Sequence, residues 1–273
     1  VTESYYTLKS RQITDDKVVV HYDCHIHAQG AWNPNEQHMA PATGLLTTEL
    51  EAFMPRQDMR IVRISLDIFG IIHFGEFTIT TKVVRSGRTI ELIESTLHTP
   101  DKVCIVARAW RLQTHDTKAV AGLEDADILK PDELPDWDGM RRWGGGYINT
   151  IYTKADPNNR SGQGIVWINT DVELVSDQGQ VLPTSDFAHL MGLVDTANGI
   201  APKIYQPDSI EWAFPNVDLQ IHLLRAPEGR WLGLQSTQQI SEDGVGLTSS
   251  VLHDEKGVFG HSEQILTVRQ LVK

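Results

Sequence analysis

The sequence predicts an α+β protein: two tandem copies of one unit, each a long helix wrapped by an antiparallel sheet. Three observations predict it. Strand-like alternation dominates the chain, a helix-like segment precedes the strands in each half, and one constant offset relates the strands of the two halves. From Val62 to Ile68 every second residue is apolar, with Arg63, Ser65 and Asp67 between, the pattern of a strand with one core face. Val217, Leu219, Ile221 and Leu223 repeat it 155 residues later. The same offset pairs Phe77 and Ile79 with Leu232 and Leu234, Ser95, Leu97 and His98 with Ser250, Leu252 and His253, and Val103 with Val258. One ungapped offset carried over about fifty residues marks an internal repeat.

Along the chain, KVVVHYDCHIH (17–27) reads as a strand. QHMAPATGLLTTELEAF reads as a helix near 40–53, with Pro41 early, where a missing N–H costs nothing. Strands near 60–69, 76–86, 88–98 and 103–113 complete an N-terminal unit, 1–113. Residues 114–146 are acidic, carry prolines and close on three glycines, so they read as a linker. The second unit, 147–273, repeats the order. GYINTIYTK and GIVWINTDVEL are strands, and TSDFAHLMGLVDTA is a helix near 185–197 with Ser185 or Asp186 as N-cap. Four strands follow near 216–225, 230–240, 245–253 and 258–269. A long helix followed by a meander of strands is the hotdog arrangement, and two copies give a double hotdog with a pseudo-twofold axis. The competing up-and-down barrel of lipocalin type places no helix in each half.

The composition narrows the function. With 273 residues, 40% hydrophobic and 22% charged, the chain can bury one large core or two small ones. No apolar run is long enough to suggest a membrane-spanning helix. VTESYYTLKSRQ lacks the basic-then-apolar layout of a signal peptide, and two cysteines, Cys24 and Cys104, fit a reducing cytoplasm. A net charge of −12 with no long basic stripe argues against nucleic acid or an anionic membrane as partner. A polyanionic substrate would need local cations.

The two copies differ where a site is expected. At offset 155, Asn216 replaces Ile61 and Gln264 replaces Ala109. Asp195 lies on the helix that the second sheet wraps, so three polar side chains converge on one helix–sheet interface. A buried carboxylate is costly unless hydrogen-bonded, and two amides can supply those bonds or hold a water between them. Asp195 is then the acid that orients and activates a water. The competing assignment has Asp195 cap the helix end while the amides bond to backbone.

Other constellations carry less. His21, Asp23, His25 and His27 share one face of a strand, but zinc ligands in a row diverge, so a solvated stripe is expected and no metal. Alternation buries Cys24, against a nucleophilic thiol. Thr248, Ser249 and Ser250 lack a nucleophile elbow, and the glycines at 144–146 lack the lysine of a phosphate loop. Trp110, Trp212 and Trp231 suit a core and an acyl tunnel equally.

DTANGI, FPNVDLQIHLLRAPEGRWLGL and DGVGLTSSVLHDEKGVFGHSEQIL resemble the acyl-CoA thioesterase family of double-hotdog proteins, in its acyl-CoA thioesterase II-like branch. The resemblance covers nearly the whole chain and is most specific in the second copy. It implies hydrolysis of an acyl-CoA-type thioester by direct attack of water, without an acyl-enzyme and without a cofactor. It implies Asp195 and Gln264 as residues that orient that water, with Asn216 at a position where the family carries Thr or Asn. The first copy resembles the family at NPNEQHMAP, where relatives read QHGG. His38, Met39 and Ala40 are thereby implied at an oxyanion or substrate-binding turn, Met39 and Ala40 replacing glycines. The family's RPvP turn becomes GIIH at 70–73, while RAP survives at 225–227. Hotdog sheet edges commonly pair, so a homo-oligomer is expected.

For the phosphates of coenzyme A, the candidates are Arg85 and Arg88, flanking Gly87, and Arg225 and Arg230, flanking APEG. Two rival functions remain at this point. One is an acyl-thioester-binding hotdog protein with little or no turnover. The other is a hydratase or dehydratase, which pairs an Asp with a His; His189 sits six residues before Asp195, on a different helical face.

Overall fold

The elements in the computed structural model, which describes residues 3–204, 206 and 210–271, follow the order that the repeat predicts. The first half runs β1 (Ser4–Ile13), β2 (Lys17–Cys24), α1 (Met39–Ala52), β3 (Met59–Ile68), β4 (Glu76–Arg85), β5 (Ile90–His98) and β6 (Val103–Gln113). The second runs β7 (Ile151–Ala155), β8 (Gln163–Thr170), β9 (Glu173–Asp177), β10 (Gln180–Val181), α2 (Asp186–Val194), α3 (Ala197–Ile200) and β11 (Trp212–Ala213). It continues with β12 (Asp218–Leu223), β13 (Leu232–Ile240), β14 (Val245–Asp254), β15 (Gly257–Thr267) and β16 (Arg269–Gln270).

Fourteen of these strands form one sheet around the helices, in the order β10-β9-β1-β2-β4-β5-β6-β3-β12-β15-β14-β13-β8-β7. The halves meet where β3 pairs antiparallel with β12. There Ile64 faces Ile221, Leu66 faces Leu219, and Ser65 faces Gln220. Ser65 and Gln220 are themselves one repeat offset apart, so the pseudo-twofold axis runs between them. The repeat extends to register: Thr78 faces His98 as Gly233 faces His253, and a β-bulge falls at Leu97/His98 in one half and at Leu252/His253 in the other.

Both helices lie inside this sheet. α1 buries every residue from Ala40 to Thr47, as a wrapped helix must. It crosses α2 at Gly44 and Gly192, where a side chain on Gly44 would stand 2.9 Å from the Gly192 Cα and 3.0 Å from the Ala188 carbonyl oxygen. Here TGLLTT and MGLVDT align at an offset of 148, because the connection from helix to strand is longer in the second half. Thr47 is therefore the counterpart of Asp195. Among the described residues no helix is long and apolar enough to cross a membrane.

Several expectations need correction. β1 was not anticipated, since its burial runs from a buried Ser4–Tyr6 end to an exposed end instead of alternating. GIVWINTDVEL is two strands, β8 and β9, and β9 pairs parallel with β1 of the first half, a second seam between the halves. Strand 17–27 ends at Cys24, and the 146–154 strand is only Ile151–Ala155. Val217 precedes β12 and is 43% exposed, so the buried face of that strand begins at Leu219. The helix near 185–197 divides into α2 and α3 at Asp195 and Thr196. The segment 114–146 is exposed from 114 to 127, as a linker would be, with Asp125 paired to His261; its later part packs on the second half, where Trp167 Nε1 donates to the Leu129 carbonyl and Met140 and Trp143 are buried.

Candidate active site

The break between α2 and α3 is what presents Asp195. Ser185 caps the start of α2, its hydroxyl accepting from the Ala188 N–H. At the far end the backbone tightens, with Thr196 N–H bonding to the Leu193 carbonyl and Gly199 N–H to that of Thr196, three residues back each time. Asn198 ties α3 to the chain before β12, donating to the Phe214 carbonyl at 2.9 Å. That contact brings Asn216 beneath Asp195, while Gln264 reaches it from the inward face of β15, between the buried Ser262 and Leu266.

The three expected residues meet. Asp195 Oδ1 accepts from Asn216 Nδ2 at 2.9 Å and from Gln264 Nε2 at 3.0 Å. Asn216 spends its other amide hydrogen on the Asp218 carbonyl, leaving its own amide oxygen as an acceptor. The Gln264 amide oxygen is buried without a partner among the described residues. Asp195 and Asn216 border a space of about 60 Å³; Gln264 stands behind the carboxylate and is not among its lining residues. Burial raises the Asp195 carboxyl to about 6, against the two amide hydrogen bonds that pull it down.

His38 closes the other side. As N-cap of α1 its Nδ1 accepts from the Ala40 N–H at 3.0 Å, which leaves the ring proton on Nε2. The same Nδ1 stands 3.8 Å from Asp195 Oδ2. Burial lowers this imidazole to about 4, so it is neutral at pH 7. Tyr147 packs on its face with ring centroids 4.4 Å apart, and the Tyr147 hydroxyl donates to the Gly192 carbonyl. Of the helix-start donors, the Ala40 N–H is therefore already engaged, while Met39 is a partly buried residue packed against the core.

Aromatic rings wall the space: Trp32 from the first half, Trp143 from the 114–146 segment and Phe214 from the second half, their centroids 5.6 to 5.9 Å apart. Trp110, Trp212 and Trp231 are not among its lining residues. Neither Trp32 nor Trp143 carries a periodic signal, because one sits in an irregular segment and the other ends a single short 3-10 turn.

The candidate arginines are not brought to this space. Arg225 forms a bidentate pair with Asp254 at 2.6 Å, and Arg230 pairs with Glu173 at 3.1 Å. Arg85 donates to the Ile90 carbonyl across its own turn, and the Arg88 carbonyl accepts from Arg56. His189 also points elsewhere, to the Asn169 side chain and the Arg230 carbonyl, so the histidine beside Asp195 is His38. The histidine stripe disperses: His21 meets Thr78, His25 meets Ser4 and Thr7, and His27 pairs with Glu3. Cys24 is buried, its thiol pushed up to about 11 by desolvation.

A family profile for the acyl-CoA thioesterase C-terminal domain matches residues 125–268, and one for the acyl-CoA thioesterase N-terminal domain matches residues 28–112. A search of curated proteins finds no match. Among solved structures, a conserved protein of unknown function with a hot dog fold from Alicyclobacillus acidocaldarius shares 12% identity over 96% of this chain and 97% of its own, with a TM-score of 0.74. A protein described as a thioesterase II from Thermobifida fusca YX shares 16% identity over 95% of both chains, with a TM-score of 0.72. An acyl-CoA thioesterase II from Mycobacterium marinum shares 12% identity over 97% and 95%, with a TM-score of 0.66. At these identities the likeness is one of fold.

Proposed function

This chain belongs to the acyl-CoA thioesterase family, and we propose that it hydrolyses an acyl-CoA-type thioester to a free acid and a thiol. The observation that supports it is the Asp195 carboxylate, anchored through Oδ1 by two amides with Oδ2 left toward the space. A water there donates one hydrogen to Asp195 Oδ2 and the other to the Asn216 amide oxygen, aiming a lone pair at the thioester carbonyl. Asp195 takes the proton as the water oxygen bonds to carbon. A carboxyl near 6 is mostly ionised at pH 7 yet basic enough to accept it. The His38 Nε2–H, the one group of the helix-start turn that borders the space, is the donor for the oxygen that becomes negative, where a neutral, prearranged dipole is most effective. Collapse expels the thiolate, which recovers the proton from Asp195. Gln264 positions the carboxylate and does not touch the substrate. Sheet-edge pairing into a homo-oligomer and a cytoplasmic setting remain part of this proposal.

A panel of acyl-CoAs from short to long, assayed for released thiol with the parent protein and Asp195→Asn, tests the reading. No thiol release by the parent protein on any chain length would leave an acyl-binding protein instead.

The 3.8 Å approach of His38 to Asp195 favours one second reading, hydration or dehydration at C2–C3 of an acyl thioester, which needs an acid and a base side by side. A 2-enoyl thioester distinguishes them: loss of the conjugated double bond without thiol release supports the hydratase.

A further inference from the structure

The pseudo-twofold axis carries the Asp195 site onto a second pocket at the other end of the helix pair, about 20 Å away along α1. Thr47, Ile61 and Ala109 are the counterparts of Asp195, Asn216 and Gln264; of these Ile61 lines the pocket, and the acid held by two amides is missing there. This pocket nevertheless holds about 250 Å³, against about 60 Å³ beside Asp195. Met59 and Ile61 of β3, Phe187 of α2, Leu223 of β12 and Pro227 form its apolar walls.

One cation in it is distinctive. Arg56 and Arg111 also line the pocket, but they pair with Asp58 and Glu91. Arg60 has no carboxylate within ion-pair reach among the described residues; it donates to the carbonyls of Leu223 at 3.1 Å and Leu224 at 2.8 Å. The one acid lining the pocket, Glu51, accepts from the Ser185 hydroxyl at 2.6 Å, and burial raises its carboxyl.

We propose that this pocket binds a fatty carboxylate of medium chain length, its tail against the apolar walls and its head group against Arg60. An apolar cavity with one unneutralised guanidinium is complementary to that class of ligand and to neither a polyanion nor a neutral lipid. The site stands on its own walls and cation, so it holds whether or not the Asp195 site turns over.

The test titrates decanoate and decanol into the full chain and into three variants by calorimetry. Decanoate should bind the parent protein and Asp195→Asn alike. Arg60→Gln should weaken decanoate by about tenfold while leaving decanol unchanged, the loss expected for one charge-assisted contact. Ala226→Trp, on the exposed loop beside Pro227, should fill the pocket and abolish both. A thermal midpoint unchanged from the parent for Arg60→Gln and Ala226→Trp would show both still folded. No binding to the parent protein overturns the proposal. So does binding indifferent to both pocket variants, and so does binding lost only in Asp195→Asn, which would put decanoate in the other pocket.

Discussion

Asp195 is held against its own ionisation, and that sets two expectations. Desolvation moves its carboxyl from 3.8 to about 6, equivalent to about 3 kcal/mol against the charged form. Because the folded state binds this proton more tightly than the unfolded chain, its effect on stability runs opposite to that of a salt-bridged acid: stability is lost as pH rises from 3.8 through 6. Asp195→Asn removes that cost while keeping an oxygen for Asn216 and Gln264. It should therefore raise the unfolding free energy read from urea titration at pH 8, by up to about 2–3 kcal/mol, and the gain should vanish below pH 4. The same variant should lower kcat by about 10²–10⁴, and parent kcat/KM should climb as pH passes about 6. A variant that is fast, or whose gain in stability over the parent is no larger at pH 8 than at pH 4, would contradict the assignment. Asn216 and Gln264 could be found in the sequence because the repeat set each beside an apolar counterpart, and Asp195 because it lies on the helix that the second sheet wraps. His38 could be placed only at a helix start, since nothing in the sequence says that the start of one helix faces the end of the other.

The helix crossing gives a sharper contrast between two glycines. Gly44 and Gly192 face each other, yet a side chain on Gly192 would meet its neighbours at 3.5 Å or more, whereas one on Gly44 would strike backbone at 2.9 and 3.0 Å. Gly192→Ala should be neutral or stabilise by up to about 1 kcal/mol, the helix-propensity gain. Gly44→Ala should destabilise by about 1–3 kcal/mol as the helices are pushed apart. Equal thermal midpoints for the two variants would count against this packing. Elements with a strict period were legible: β3 to β6 and β12 to β15 lie close to where alternation puts them. β1 and β9 were not, because β1 is buried only at its Ser4–Tyr6 end and β9 is buried through its middle three residues, so neither shows a period of two. The later part of the 114–146 segment carries no period either. Its composition is that of a linker, but Trp143 donates its indole N–H to the Gly199 carbonyl and becomes a wall of the site.

At the scale of the whole molecule, the net charge of −12 opposes the approach of any acyl-CoA, itself a polyanion. Raising ionic strength from about 0.01 to 0.15 M shortens the Debye length from about 30 to 8 Å, so kcat/KM for acyl-CoA should rise over that range. An uncharged thioester of the same acyl group should show no such rise, and a fall for acyl-CoA would reveal a cationic docking patch instead. The pseudo-twofold was the most legible feature of the sequence, since a single offset relates four strand pairs and the axis follows from it. It also has an evolutionary reading. A homodimer of half-length chains must change both of its ends together, because each mutation appears twice. Joining the copies into one chain removes that coupling and lets one end acquire an acid and two amides while the other keeps Thr47, Ile61 and Ala109. Positions that faced their own copies across the axis record how much freedom each had. Ser65 and Gln220, half-exposed on the sheet, have drifted apart in size and chemistry. The glycines at 44 and 192, pressed together between two buried helices, are the same residue in both halves.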